Sequence, residues 1–411
     1  MAKGDMIVGV DIGTTKICTV IGEIGEKNEV EIVGVGSAPS RGIRKGVVID
    51  LESTTHSIGQ AVSEAELMAG VDVGSVYVGI AGGHIKGLNS HGVIAISSRR
   101  GDVTRSDVDR VIDAAKAVAI PPDREVIHIL PQQYIIDSQN GIKDPIGLSG
   151  TRLEAEIYIV TGAVASAQNI VKAVNQAEFV VDDIVLAPLA ASQAVLDEDE
   201  KELGVVLVDI GGGTTDIIVF VEGSVRHTEV ITLGGNYVTH DISMGLRTPV
   251  AEAERIKIAH GSCLASSISG EETLEVPSVG ERKARTLPKQ VLAEIIQPRM
   301  EEIFELVNRE IRRTGYEKQI TTGVVLTGGA SQLGSTRELA ERIFDLPVRI
   351  GIPRGIKGLV DIVATPQYAT GVGLVLYGAN DRIAGKGVRF IGGNLFKDIF
   401  SRMKEWVGEM F

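Results

Sequence analysis

At 411 residues the chain is too long for one ordinary hydrophobic core, so two or more lobes are expected. Its formal net charge of −13 excludes broad, non-specific attraction to nucleic acid, which needs a basic face, and its two cysteines, Cys18 and Cys263, are too few for a metal knuckle or a disulfide framework. With 49 glycines and only 4% aromatic residues, the profile is that of a glycine-punctuated α/β protein rather than a disordered one.

The apolar run that begins at Met6 reaches Asp11 within a few residues, which predicts no secretory leader, and no apolar stretch approaches the ~20 residues needed to cross a bilayer. A cytosolic body is expected, in keeping with the sparse cysteines. Residues 8–21, VGVDIGTTKICTVI, read as a β-hairpin: a Val/Ile-rich run, a glycine turn and a returning apolar strand. Residues 206–220, VLVDIGGGTTDIIVF, repeat it, so the two halves read as copies of one architecture.

The repeat points to phosphate. Gly13 in the first copy and Gly211, Gly212 and Gly213 in the second let backbone N–H groups approach phosphate oxygens, and Thr14, Thr15, Thr214 and Thr215 add hydroxyl donors. Asp11 and Asp209 end their strands, where carboxylates hold a hard cation such as Mg²⁺, often through its retained waters, and Lys16 neutralises further charge. One such turn is only a turn. Two with matched flanks predict facing clamps on a polyphosphate.

Farther along, TRSDVDRVIDAAKAV at 104–118 predicts a helix, and Pro121 and Pro122 lead to apolar strands IHILPQQYII and AEIYIVTGAV, which together make a compact insertion of about 80 residues between Gly83 and Ser166. LGGNYVTHDI at 233–242 joins a strand to a helix and brings Gly234, Gly235 and Asn236 near phosphate or ribose. In AEAERIKIAHG at 251–261, Glu254 and Lys257 lie one turn apart on one helix face. A basic cluster, Arg282, Lys283, Arg285 and Lys289, opens a long helix that also carries Arg299; its alternative reading is a solvated charge run. VVLTGGASQL at 324–333 is a further glycine turn, in which Gly328 and Gly329 permit close approach of an adenosine and Ser331 can cap or donate.

The C-terminus is of another kind. On a helical wheel Leu395, Phe396, Ile399, Phe400, Met403, Trp406, Val407, Met410 and Phe411 fall on one arc of about 160°. Lys397 and Lys404 sit near one border and Arg402 at the other, while Asn394 is placed to cap the helix. This pattern predicts an interfacial helix on anionic lipid; the alternative is docking on the protein's own core or on a partner.

The order of the glycine turns resembles the actin-like ATPase superfamily. The phrases GVDIGTTKI, SRGIRKGVVID, GIAGGHI, VDIGGGTTDI, EVPSVG and GVVLTGGASQL, spread over nearly the whole chain, resemble the FtsA family of bacterial division proteins. The resemblance implies an α/β, actin-like (duplicated ribonuclease-H-like) two-lobed ATPase fold with an inserted small α+β subdomain and a C-terminal amphipathic helix. Subdomain 1A would comprise 1–83, 164–196 and 362–384, and 1C, the self-interaction or partner subdomain, 84–163. Subdomain 2A would take 197–227 and 306–361, and 2B 228–305, followed by a linker and membrane helix at 385–411. APLAASQAVL and PQYATGVGLVLYGA correspond to the two connecting helices, and the Glu254/Lys257 helix flanks the adenine.

By the same resemblance the cofactors are ATP or ADP with Mg, and the partners are the C-terminal tail of FtsZ, further copies of the chain in filaments, anionic membrane lipids and later division proteins. Arg285 and Arg299 match positions of partner binding or self-interaction, and Lys289 belongs to the basic cluster of the lobe that would receive the FtsZ tail. The expected location is the cytoplasmic face of the inner membrane at the midcell septum. One departure stands out: Ala187 occupies the start of the first connecting helix, where vigorous ATPases place an acid or Gln that orients water, so slow hydrolysis is expected. The rival readings are a PilM-like adaptor of pilus or secretion assembly and a small-molecule kinase of the same superfamily.

Overall fold

The computed structural model describes residues 5–98, 101–278 and 283–384. Arg282 and the amphipathic segment 395–411 lie outside the described residues.

The chain opens with β1 (Asp5–Ile12), β2 (Lys16–Ile24) and β3 (Val30–Pro39), followed by a small hairpin of β4 (Ile43–Arg44) and β5 (Val47–Val48). Helix α1 (Leu51–Ala69) follows, its first turn held by the Asp50 carboxylate accepting from the Ser53 N–H and its end closed by Gly70 in the left-handed region at φ 68°. After β6 (Ser75–Ile80) come β7 (Lys86–Ala95), α2 (Arg105–Lys116), β8 (Arg124–Ile136), β9 (Gln139–Ile142) and β10 (Arg152–Ala163), then α3 (Val164–Gln176), β11 (Val180–Leu186) and α4 (Ala187–Val195). The second half runs through α5 (Glu198–Leu203), β12 (Val205–Ile210), β13 (Thr215–Val221), β14 (Ser224–Ile231), α6 (Gly235–Leu246), α7 (Val250–His260), β15 (Thr273–Val276) and β16 (Arg285–Pro288). It continues with α8 (Lys289–Thr314), β17 (Val324–Thr327), α9 (Thr336–Phe344) and β18 (Val348–Ile350), and the chain returns through β19 (Ile356–Gly358), α10 (Val360–Val363) and α11 (Ala369–Ala384).

The duplication read from the sequence is a duplication of topology. One sheet has the order β11-β6-β1-β2-β3-β19 and the other β18-β17-β12-β13-β14. In both, an antiparallel hairpin (β1–β2, β12–β13) is extended on one side by its third strand and on the other by a parallel strand (β6, β17). The central strands are buried on both faces, which is why they read as near-continuous Val/Ile runs rather than alternating ones. The insertion has its own sheet, β7-β10-β8-β9, with a separate core in which Val108, Val111 and Ile112 of α2 meet Leu153, Ile157 and Ile159 of β10.

Helices α4 and α11 pack against each other between the two large sheets. The crossing is set by Gly373: a Cβ there would lie 1.9 Å from the Ala190 carbonyl oxygen. Ala is the better helix former by about 1 kcal/mol, but overpacking a tight contact costs typically about 1–3 kcal/mol. Gly373→Ala is therefore expected to destabilise the protein by up to about 2 kcal/mol net, read as a lowered urea and thermal midpoint. A raised midpoint would contradict so close a crossing.

Candidate functional site

The N-termini of α4 and α11 and the turns of both hairpins converge on a cavity of about 550 Å³ between the lobes, within the usual range for a small-molecule site. In each turn the first glycine amide closes the loop on itself: Gly13 N–H donates to Lys16 O at 3.1 Å, and Gly211 N–H to Thr214 O at 2.9 Å. Among the described residues, the amides at the two apices, those of Thr14, Thr15, Gly212 and Gly213, donate to no protein acceptor. All four belong to residues that line the cavity, and successive unpaired backbone N–H groups at a turn are of the kind that binds anions.

The apices also touch. A Cβ on Gly212 would fall 1.9 Å from Thr15 Oγ1, and one on Gly213 2.5 Å from Thr14 Oγ1, so glycine there is what lets the two turns meet. Thr15 Oγ1 lies 3.3 Å from Asn236 Oδ1, and Thr370 Oγ1 donates to Asp209 Oδ2 at 3.1 Å, two more polar contacts between elements of opposite halves.

Four carboxylates line the cavity: Glu254, which is paired with Lys257, and the three aspartates Asp11, Asp209 and Asp216. Asp216 stands directly opposite Asp209 in the β12–β13 register, on the same face of the sheet. Enclosure pushes the Asp11 carboxyl up to about 6, partly offset by Lys16, and the Asp209 carboxyl up to about 7, with the charge of Asp11 adding to the rise. Burial and then Asp209 raise Asp216 well above the usual carboxylate range. Thr214 Oγ1 donates to Asp216 Oδ2 at 3.0 Å, while Oδ1 is buried without a partner. Crowded carboxylates with an unsatisfied oxygen and no arginine among the lining fit a hard divalent cation that keeps part of its water shell between itself and the carboxylates.

At the other end of the cavity, Glu254 and Lys257 of α7 form an ion pair at 2.7 Å, and the Lys257 ammonium also donates to Gly235 O and Thr239 Oγ1. Ile258 and Leu333 add apolar lining, while the Gly328–Gly329 turn lies beside Asp209, where a Cβ on Gly328 would fall 2.2 Å from Asp209 Oδ1. Lys16 donates to Gln367 O at 3.3 Å and lies over the Tyr368 ring at 4.2 Å. Ala187 lines the cavity at the N-terminus of α4 and brings no acid or amide there.

Of the residues singled out in the sequence, Thr215, Gly234 and Ser331 are not in the lining. Thr215 faces away from Thr214 by strand alternation and donates to Leu233 O, and Ser331 donates to Gly328 O. Gly234 packs against the carbonyls of Gly211 and Gly212, and the amides of Gly235 and Asn236 donate to those same two carbonyls, so this loop braces the second turn rather than offering its own amides. Asp216, Gly46, Ile258 and Thr370 line the cavity without having been singled out. For Asp216 the signal was present in the hairpin register, which pairs it with Asp209.

The three residues expected to meet a partner are engaged within the chain. Arg285 donates to Leu246 O, Lys289 pairs with Glu272 at 2.9 Å, and Arg299 pairs with Asp241 at 2.6 Å and with Glu302. Arg299 and Lys45, from opposite lobes, both lie over the ring of Tyr237.

A family model described as Cell division protein FtsA matches residues 206–373, and one described as the SHS2 domain inserted in FTSA matches residues 82–161. The chain is 51% identical over 410 residues to the cell division protein FtsA of Pseudomonas aeruginosa, covering 98% of each. It is 45% identical over 388 residues to that of Escherichia coli K12, covering 93% of this chain and 92% of the relative. Among solved structures it is similar to the PilM-PilN type IV pilus biogenesis complex, with a TM-score of 0.66 and 14% identity over 91% of this chain and 98% of that one. It is also similar to MreB5 of Spiroplasma citri bound to ADP, with a TM-score of 0.54 and 14% identity over 93% of this chain and 98% of that one. At such identities these structures speak for the fold, which is that of the actin-like ATPases.

A buried carboxyl with a raised folded pKa holds its proton more tightly in the folded state than in the unfolded chain. Its contribution to stability is present below the ordinary value of 3.8 and is lost as pH rises through about 7 for Asp209. Without nucleotide or divalent cation, Asp209→Asn is therefore expected to melt above the unsubstituted protein at pH 8, with the advantage shrinking toward pH 5. Thermal melts across that range check it, and an advantage independent of pH would contradict the buried charge.

Proposed function

Because the chain belongs to the FtsA family of cell division proteins, we propose that it binds ATP with Mg²⁺ between its lobes and polymerises on the cytoplasmic membrane. There it anchors the FtsZ tail at the division septum and helps to recruit later division proteins. The observation that carries the nucleotide reading is the pair of facing turns, with four free amides beside three crowded carboxylates. In this reading the turns hold the β- and γ-phosphates, Asp11, Asp209 and Asp216 hold the cation, and the Glu254/Lys257 end takes the adenosine. The cation neutralises phosphate and carboxylate charge together, which neither set can do for the other.

Ala187 bears on turnover. In phosphoryl transfer much of catalysis is positioning, and the start of α4 carries no group that could orient water. Hydrolysis by the purified protein is expected to fall below kinase-like rates of about 1 per second. A faster steady-state rate, measured as phosphate release, would overturn the adaptor reading in favour of an enzyme.

No helix among the described residues is long and apolar enough to cross a membrane. The membrane role therefore rests on the sequence of residues 395–411. Burying each large apolar side chain stabilises by roughly 1.5–3 kcal/mol at most, and folding of the segment opposes much of that, so one helix binds reversibly and a filament binds through many. Deletion of 395–411 is expected to leave ATP binding intact while abolishing co-sedimentation with anionic liposomes; unchanged sedimentation would refute the anchor. The tail-binding reading rests on family membership and on Arg285, Lys289 and Arg299 lying on one lobe; an acidic tail would have to displace Asp241 or Glu272 from them.

A further inference from the structure

Two strands leave the cleft and meet beyond it. On one side the chain passes from Gly79 and Ala81, in the cavity lining, to the start of β7 at Lys86. On the other, β14 ends at Ile231, four residues before Gly235, which is in the lining with Asn236. The insertion packs on β14 through β7, β8 and β10.

β14 is an edge strand of its sheet, so its outer backbone groups lack a ladder partner. The insertion caps them with side chains. Thr228 N–H donates to the Tyr158 hydroxyl at 2.7 Å, and that hydroxyl lies 3.1 Å from Thr228 Oγ1. Gln132 Nε2 donates to Val225 O at 2.8 Å, and Ser224 Oγ donates to Gln132 O at 2.9 Å. Tyr158 is 2% exposed, Thr228 4% and Gln132 8%, so these hydrogen bonds are shielded from water. Gly87 makes room for it, since a Cβ there would lie 1.8 Å from the Tyr158 hydroxyl.

The same insertion sheet grips the hinge. His128 of β8 accepts the Leu186 N–H at 2.9 Å, and its ring meets that of Tyr377 in α11 at 6.2 Å. Leu186 immediately precedes Ala187 of the cavity lining. Burial holds the His128 imidazole down to about 4, so it stays neutral and keeps accepting at physiological pH.

The hydrogen bonds of this seam lie beside an apolar cluster that includes Ile127 and Val160 of the insertion and Val225 and Val230 of β14. When the seam parts, water replaces its hydrogen bonds, so each contributes only about 0.5–1.5 kcal/mol net. We propose that the insertion is a latch on the nucleotide cleft: Tyr158 and Gln132 are positioning residues that hold β14, and through it Gly235 and Asn236, against the first lobe, and so slow release of a bound nucleoside triphosphate. The latch rests on the reading that the cleft holds a nucleotide. It also gives the insertion a means of sensing the cleft, because whatever loads the insertion from outside loads the same hydrogen bonds.

The test is the dissociation rate of a fluorescent ATP analogue with Mg²⁺, chased with unlabelled ATP, from the full chain and from Tyr158→Phe, which leaves the Thr228 amide buried and unpaired. Release is expected to quicken about fivefold or more, while Tyr134→Phe, within the same sheet, leaves it unchanged. A folded Tyr158→Phe that releases at the unsubstituted rate overturns the latch and leaves the cleft reading standing. If the unsubstituted protein binds no analogue, the cleft reading fails and the latch with it. Should Tyr158→Phe not fold, Gln132→Met, which frees Val225 O, is expected to speed release in the same way, and normal release from it overturns the latch.

Discussion

The structure turns on a single contact: Thr14 and Thr15 of one lobe occupy the space that side chains on Gly212 and Gly213 of the other would need. Everything around the cleft follows from holding two hairpin turns that close together. Each turn spends its first amide on closing itself and leaves its apical amides free. Each brings an aspartate from the preceding strand to the same space, which crowds negative charge that either protonation or a bound cation relieves. Bringing donors and carboxylates together in one enclosed volume costs stability in the empty protein, and that cost is what a bound cation and polyphosphate would offset.

The connecting helices and the insertion hold that arrangement. Gly373 lets α11 lie directly on α4, and Thr370 at the start of α11 reaches Asp209 in the opposite lobe. The insertion ties β14 to the first lobe and steadies the peptide before Ala187 through His128.

Much of this was legible in the sequence because the repeat is local: apolar β-branched flanks around Asp-Ile-Gly specify a hairpin wherever it sits, and two copies imply two lobes. What escaped depends on which way a side chain points after folding. Asp216 required the register that sets it against Asp209, and in the first copy the matching position opposite Asp11 is Cys18, so the repeat itself gave no warning. Thr215 and Ser331 looked like donors to a ligand and proved to be donors to Leu233 and Gly328, since a hydroxyl one residue along a strand or turn faces the other way. Arg299, expected to meet a partner, is paired within the chain with Asp241, 58 positions away, a contact no local pattern reveals.

The central claim is that the turns and the three carboxylates act as one site for a nucleotide and its cation. Titrating ATP into the protein calorimetrically at pH 6.5, with Mg²⁺ and with a chelator, in buffers of different ionisation enthalpy, tests it directly. The account predicts binding that depends on Mg²⁺ and is accompanied by release of protons as the raised carboxyls ionise. Equal affinity in the chelator, or binding without proton release, would contradict it.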